Sequence, residues 1–341
     1  MTSILTNTSA TIALQTLRSI NQQLDTTSNR VSTGQRITSA ADGAAYWAIA
    51  STLKSDNGSL SALKDAMSLD KNSIDAASAG LNKVIDQLTA IKNALTSATS
   101  EQADKSKLQN DIKVALNAIQ TYSDNTVMNG SNWLTVKSDA TGFSATKNLV
   151  AAYSRVGATV SVSKTQLDTS AFILYDNAAT ASGIAASTTA MTTIASAATF
   201  TDVTVAAAAT AAGQKGFMDT AYTLTGATGI TVPATVSLKT IDITTANQST
   251  ISTYLKIVDA TTQQLLTGAS KLGSMSTLLK SQSDFTQQLM DINTSSIGSL
   301  VDANIEEEST KLKALQTQQQ LGIQSLSIAN SSSQNVLSLF R

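Results

Sequence analysis

LKALQTQQQLGIQSLSIANSSSQNVLSLFR, residues 312–341, decides the reading of this chain. Its apolar and small residues recur as Leu312, Leu315, Gln319, Gly322, Leu326, Ala329, Ser333, Val336 and Phe340. Those steps alternate three and four, which keeps one stripe on one face of a helix. Ile305 extends the stripe upstream. The opposite end carries its counterpart: Ala10, Leu14, Leu17, Asn21, Leu24, Ser28 and Val31 alternate four and three, with Ile4, Ile12 and Ile20 widening the face. Neither stripe has a partner nearby in sequence, and a lone helix cannot bury its seam. The simplest solution pairs the two terminal helices and loops the middle out. Two helices bury only a narrow seam, so the remaining apolar residues would seek other copies of the chain. Each Leu or Ile buried is worth roughly 1.5–3 kcal/mol, and contacts that do not close on themselves give helical polymers.

Inward from the N-terminus, Gly34 in VSTGQR and the pair Asp42-Gly43 signal a stop and a turn. A long helical pattern resumes at Ala44 and runs through Trp47, Leu53, Leu60, Leu63, Met67 and Ile74 to about Thr99. Gly80 sits inside it at a cost of about 1 kcal/mol against Ala. A further amphipathic segment carries Leu108, Ile112, Leu116, Ile119 and Tyr122. Asn129-Gly130 is a hairpin dipeptide, followed by strand-like Trp133, Leu134 and Val136. Residues 141–235 turn rich in Ala, Thr, Ser and Gly, with strands predicted at 158–162, 200–205 and 230–238. Helix returns at Ile251 through Leu255, Val258, Thr262, Leu265, Ala269, Leu272 and Leu279, and a break is expected at Asn293–Gly298. The fold class is therefore mostly α: long terminal α-helices forming a coiled-coil core, further α-helices with a short β-hairpin, and one inserted β-rich (α+β) outer domain.

Composition narrows the function. The 341 residues include no Cys and no His, which removes Cys nucleophiles, Ser-His pairs, imidazole bases and the common zinc ligand sets. With a net charge of -1, 14% charged residues and no basic run, no nucleic-acid footprint is present. No stretch approaches the roughly 18 apolar residues of a membrane span. MTSILTNTSATIALQTLRSI has no basic start and apolar block, so a cleaved secretory signal is not expected. A single proline, Pro233, permits very long helices. Glu306-Glu307-Glu308 reads as a solvated helix face. Trp47 and Trp133 read as packing residues, and Asp42 as a turn or cap acid with no base or nucleophile beside it. No cofactor and no catalytic or metal residue is expected.

At both ends the residues resemble a known family. SLSIANSSSQNVLSLFR (Ser325–Arg341), extended by LKALQTQQQLGIQ (Leu312–Gln324), is similar to the flagellin C-terminal signature. NRVSTGQRITSAADGAAYWAIA (Asn29–Ala50) resembles the flagellin motif after the first helix, and its Tyr46-Trp47 pattern looks like flagellins of soil alphaproteobacteria. The resemblance covers roughly 1–140 and 236–341. It implies a subunit that self-assembles through its paired terminal helices into the helical filament used for swimming. It implies a five-part chain: 1–43, inner-core helix and connecting turn; 44–140, shell helices plus short β-hairpin; 141–235, variable surface-exposed outer domain; 236–297, C-terminal shell helix; 298–341, C-terminal inner-core helix. The subunit-assembly seam is then Leu14, Leu17, Leu24, Val31, Ile305, Leu312, Leu315, Leu326, Val336 and Phe340. The implied partners are further copies in a homo-oligomeric filament, other flagellins of the same cell, the flagellar type III export apparatus, an export chaperone at the C-terminal helix, and hook-filament junction and cap proteins. The implied place is extracellular, reached without a cleaved signal peptide.

Departures from the family pattern carry their own expectations. The centre of the segment recognised by plant immune receptors usually reads Ala-Lys-Asp-Asp-Ala-Ala-Gly; here Ala41, Gly43 and Tyr46 replace the base, one acid and the final Gly. In flagellins seen by the animal Toll-like receptor, the helix around Leu88–Leu95 presents Arg and Glu, where this chain has Ala90 and Asn93. Weak recognition by both receptors is expected, since charge-assisted contacts are lost. A hook–filament junction protein shares the terminal-helix pattern and stays open as a reading. So does a secreted adhesin whose function lies in 141–235.

Overall fold

The computed structural model describes residues 7–157, 159–178, 193, 195–196, 203–207, 216–226 and 235–338. Five long helices account for most of them: α1 (Thr8–Thr33), α2 (Ala40–Ala98), α3 (Lys105–Asn125), α4 (Gln248–Val301) and α5 (Ile305–Ser338). The chain divides into two units, Met1–Leu60 with Gln288–Arg341, and Ser61–Gln287.

In the second unit the helices present heptad seams to a common core. On α2 the buried residues from Ile74 onward are Ile74, Ala77, Leu81, Val84, Leu88, Ile91, Leu95 and Ala98, stepping three and four. They meet Ile112, Ala115 and Ile119 of α3 and Ile251, Tyr254, Val258, Leu265, Leu272 and Leu279 of α4. The α3 face is rotated from the sequence reading: Gln109 and Ser123 are buried while Tyr122 is 38% exposed. Gln109 is buried because its amide donates to Ile241 O (2.9 Å) and accepts from Ile243 N (2.8 Å), imitating a strand partner for the incoming chain.

Short strands decorate this bundle. β1 (Val127–Met128) and β2 (Ser131–Asn132) form the expected hairpin, with Asn129 (φ 53°) and Gly130 (φ 71°) both left-handed, as a two-residue primed turn requires. β3 (Thr135–Val136) pairs parallel with β6 (Tyr175–Asp176). Between them β4 (Thr146–Val156) and β5 (Thr159–Asp168) make a long antiparallel ribbon with a bulge between Val150 and Ala152. The sequence showed only four strand residues of that ribbon, 159–162, while Ala158 lies outside the described residues; Ala, Ser, Lys and Thr on both faces of β4 erase the alternation a half-buried strand would display. β7 (Val203–Ala207), β8 (Ala221–Gly226) and β9 (Thr235–Ser237) form an antiparallel sheet in that order. Phe200 to Asp202 and Ile230 to Ala234 of the predicted strands lie outside the described residues. The inserted segment shares the bundle core: Leu149, Leu167, Phe172, Leu174, Tyr175, Phe217 and Tyr222 belong to the same buried cluster as the helices.

In the first unit, α1 ends at Gly34 (φ 70°), whose N–H reaches Arg30 O. The next residues lace onto the end of α4: Arg36 N and Ile37 N donate to Val301 O, and Ala303 N donates to Gly34 O. Ile37, Ala50 and Val301 form a small buried cluster there. The break expected at Asn293–Gly298 is absent, because α4 continues to Val301. Its polar residues are satisfied without unwinding the helix: Asn57 Nδ2 donates to Met290 O and Thr294 Oγ1, and Asn293 Nδ2 donates to Asn57 Oδ1. The true break is Asp302–Asn304.

Candidate assembly surface

α1 and α5 lie antiparallel along each other, as a ladder of side-chain contacts fixes. Asn7 Nδ2 donates to Ala329 O (2.9 Å), Gln319 Nε2 donates to Asn21 Oδ1 (2.7 Å), and Arg30 Nη1 donates to Glu308 Oε1 (3.0 Å). Asn7 also caps α1, its Oδ1 accepting from Ala10 N (3.0 Å), so one side chain starts one helix and ties it to the other.

The predicted seam residues divide by exposure. Leu315 is buried, and Leu17, Leu24, Val31, Leu312 and Leu326 are half-buried on the facing sides of the pair. Leu14 and Ile305 are turned away, 39% and 45% exposed. Val336 belongs to α5, and Phe340 lies outside the described residues. On α1 the facing stripe runs Ala13, Leu17, Ile20, Leu24, Thr27 and Val31, offset by one residue, about 100°, from the sequence reading at Leu14 and Ser28. Thr27 is the buried residue of that helix. The signal was available as the alternative heptad through Ala13, Ile20 and Thr27, hidden because Ala and Thr score weakly beside Leu.

Glu308 was missed altogether. Glu306 and Glu307 are exposed as a solvated face requires, but Glu308 is only 9% exposed. Its position three residues from Ile305 and four from Leu312 placed it on the seam, and its charge argued it off. Arg30 resolves the conflict by supplying the opposite charge across the pair.

Four of the five positions at which the chain departs from the immune-receptor motifs are exposed. Ala41 is exposed, Tyr46 is 50% exposed with the Arg36 guanidinium 6.0 Å from its ring centre, and Ala90 and Asn93 are exposed on α2. Gly43 is half-buried and interrupts α2 with an extended φ of 169°. Asp42 acts as the cap acid: its Oδ2 accepts from Thr38 Oγ1, Thr38 N, Ser39 N and Ser39 Oγ. Those bonds, the Thr38 hydroxyl first, hold its carboxyl down at about 2. Trp133 is buried as expected, whereas Trp47 is 42% exposed, as its neighbours Tyr46 and Ile49 are at 50% and 51%. Among the described residues no cluster of acidic groups could hold a metal ion and no helix is long and apolar enough to cross a membrane.

Large apolar side chains thus stand exposed on both terminal helices: Ile12, Leu14, Ile305, Leu321, Ile323 and Ile328. Soluble monomers rarely tolerate such density, which marks interaction surface.

Comparison with known proteins agrees from end to end. The family model described as the bacterial flagellin N-terminal helical region matches residues 4–139, and that described as the bacterial flagellin C-terminal helical region matches residues 255–340. Flagellin C of Rhizobium meliloti (strain 1021) is 37% identical over 342 residues, covering 100% of both chains. Flagellin A of the same strain is 38% identical over 402 residues, and the flagellin of Brucella melitensis biotype 1 is 37% identical over 343, each again covering 100% of both chains.

Proposed function

Because the chain belongs to the bacterial flagellin family, a family of structural subunits that polymerise into the extracellular flagellar filament, we propose that its own polymerisation runs through the paired helices α1 and α5. One observation carries this. The pair buries only a narrow seam, among the described residues one Thr on α1 and Glu308 and Leu315 on α5, while six large apolar residues remain in water. At roughly 1.5–3 kcal/mol for each one covered, contacts between copies supply what the isolated pair lacks. The seam set Leu14, Leu17, Leu24, Val31, Ile305, Leu312, Leu315, Leu326, Val336 and Phe340 then splits into two tasks. Leu17, Leu24, Val31, Leu312, Leu315 and Leu326 hold the pair together, and Leu14 and Ile305 meet neighbours.

The five-part division fits the same reading, with 1–43 and 298–341 innermost and 141–235 outermost. The exposed apolar face of α5 suits capture by an export chaperone before assembly, with passage through the flagellar type III apparatus and contact with junction and cap proteins at the filament ends. The exposed, uncharged positions Ala41, Tyr46, Ala90 and Asn93 support weak recognition by plant and animal flagellin receptors. A peptide spanning Arg30–Ala50 should raise little oxidative burst in leaf tissue, and a strong burst refutes that.

Negative-stain electron microscopy after salt-induced polymerisation tests the assembly reading. The full chain should give long filaments and a chain ending before Ile305 none. Filaments from the truncated chain would move assembly away from the helix pair.

A further inference from the structure

Asn-Gly occurs twice in the chain, at Asn57-Gly58 and Asn129-Gly130. The dipeptide is reactive because the glycine N–H, unshielded by a side chain, can attack the amide carbon of the asparagine side chain. The fold treats the two copies in opposite ways. Asn57-Gly58 lies within α2, where each N–H is taken by the carbonyl four residues back. The Asn57 amide is held at both atoms: Nδ2 donates to Met290 O (3.2 Å) and Thr294 Oγ1 (3.0 Å), and Oδ1 accepts from Asn293 Nδ2 (3.1 Å). Asn129-Gly130 forms the exposed turn between β1 and β2. Among the described residues, neither the Asn129 amide nor Gly130 N makes a hydrogen bond, and a Cβ placed on Gly130 would meet nothing within 4 Å.

Backbone geometry favours the same site. Closing a five-membered succinimide ring brings the next nitrogen level with Cβ about the Cα–C bond, which for an L-residue sets ψ at about −120°, the value at the first central residue of a II′ turn. That turn also needs a positive φ there, and Asn129 already has φ 53°. A flip of the single peptide between Asn129 and Gly130 therefore converts the present I′ turn into the II′ form, and both close a two-residue hairpin. Gly130, now at φ 71°, is the residue type that tolerates the change in the sign of φ. Asn57 has no such move without unwinding α2 and breaking its three side-chain bonds.

We propose that Asn129 is a site of spontaneous succinimide formation and deamidation in the folded chain, while Asn57 is protected. Gly130 N bonds to Asn129 Cγ. The bond from Cγ to the amide nitrogen breaks, and that nitrogen leaves as ammonia with the proton given up by Gly130 N. Water then opens the ring. Attack at Cγ restores the backbone and leaves aspartate; attack at the Asn129 carbonyl carbon leaves isoaspartate, whose backbone runs through Cγ. Water in and ammonia out balance the change, with no oxidant or reductant. Isoaspartate adds a methylene to a loop clamped on its far side, where Asn132 Nδ2 donates to Ser123 O and Asn132 Oδ1 accepts from Leu134 N and Thr135 N. The ladder behind the turn has two residue pairs, so the longer loop opens the Met128–Ser131 pair.

Mass spectrometry of tryptic peptides decides it, using the full chain aged in warm, mildly alkaline buffer with and without denaturant. The two sites fall in separate peptides, Ser55–Lys64 and Val114–Lys137, and fragmentation distinguishes Asn129 from Asn125 and Asn132. With each site taken relative to its own rate in denaturant, conversion at Asn129 in the folded chain should exceed that at Asn57 at least about tenfold, because Asn57 reacts only from locally unfolded chain. An isoaspartyl methyltransferase should label the aged Val114–Lys137 peptide, since direct hydrolysis of the amide yields aspartate alone. Equal relative rates at the two sites overturn the proposal. So does an Asn129 that stays intact in the folded chain while the denatured chain converts it, or aspartate at 129 without isoaspartate.

Discussion

At the residue scale, the glycines of the helices show how one position can be required and another free. A Cβ on Gly80 would fall 2.2 Å from Thr126 Oγ1 and 2.9 Å from Leu134 Cδ1, so α2 passes the strand region at contact distance there. Gly273 on α4 has nothing within 4 Å. Gly80→Ala should destabilise the chain by roughly 1–3 kcal/mol through overpacking. Gly273→Ala should stabilise it by up to about 1 kcal/mol through helix propensity. Opposite shifts in thermal unfolding check the pair, and equal shifts refute it. Asp42 gives a pH prediction. Its folded-state value is depressed to about 2 from an ordinary 3.8, so its contribution is complete above 3.8 and is lost as pH falls through the folded value. Carboxyl carbon NMR should show Asp42 titrating near 2; a midpoint near 4 would mean that the four bonds from Thr38 and Ser39 do not persist in solution.

At the element scale, the pairing of α1 with α5 hinges on few specific contacts, since most of its facing residues are small or half-buried. Arg30 and Glu308 are the charged pair within it, with side chains 27% and 12% exposed. Glu308 Oε2 is buried without a partner among the described residues, so this carboxylate already bears an unmet desolvation cost. Glu308→Ala would leave Arg30 facing the seam alone and should cost about 3 kcal/mol. Replacing both residues by Leu should recover most of that loss, because an apolar pair of similar size carries no desolvation penalty. A double-mutant cycle on helix unfolding reads both effects, and an additive cycle refutes the coupling. The α3 element hinges on Gln109 in the same way. Gln109→Leu would strand Ile241 O and Ile243 N in the core, at roughly 1–3 kcal/mol for each group left unpaired.

At the scale of the whole molecule, the β4–β5 ribbon is tied to the core at its base and exposes several valines further out. Leu149 and Leu167 are buried, and Val150 N donates to Asp70 Oδ2 of α2 at 2.8 Å. Val156, Val160 and Val162 are 78%, 46% and 49% exposed. Val156→Ala should therefore cost under about 0.5 kcal/mol, a melting shift of a few degrees at most for a unit this size. Leu167→Ala at the base should cost roughly 2–5 kcal/mol. Calorimetry on the two variants checks the ordering.

The sequence by itself determined the long helices and the pairing of the two terminal ones. Heptads that span dozens of residues, such as Ile74 to Ala98 or Leu312 to Ala329, are read from spacing because every turn of a helix repeats the same geometry. The lack of a local partner for either terminal stripe was enough to pair α1 with α5. The paired motifs at the two ends also disclosed the family and its filament. Only the tertiary structure decided which of two adjacent heptads on α1 turns inward, because Ala13 and Thr27 become preferable to Leu14 and Ser28 only when α5 is pressed against them. It decided that Glu308 is buried, since its charge argues for solvent until Arg30 is brought across from a position far away in sequence. It also decided that 293–298 stays helical, since Asn57 satisfies groups that would otherwise have ended the helix. In each case the deciding energy comes from a residue hundreds of positions away, and spacing along the chain carries no record of it.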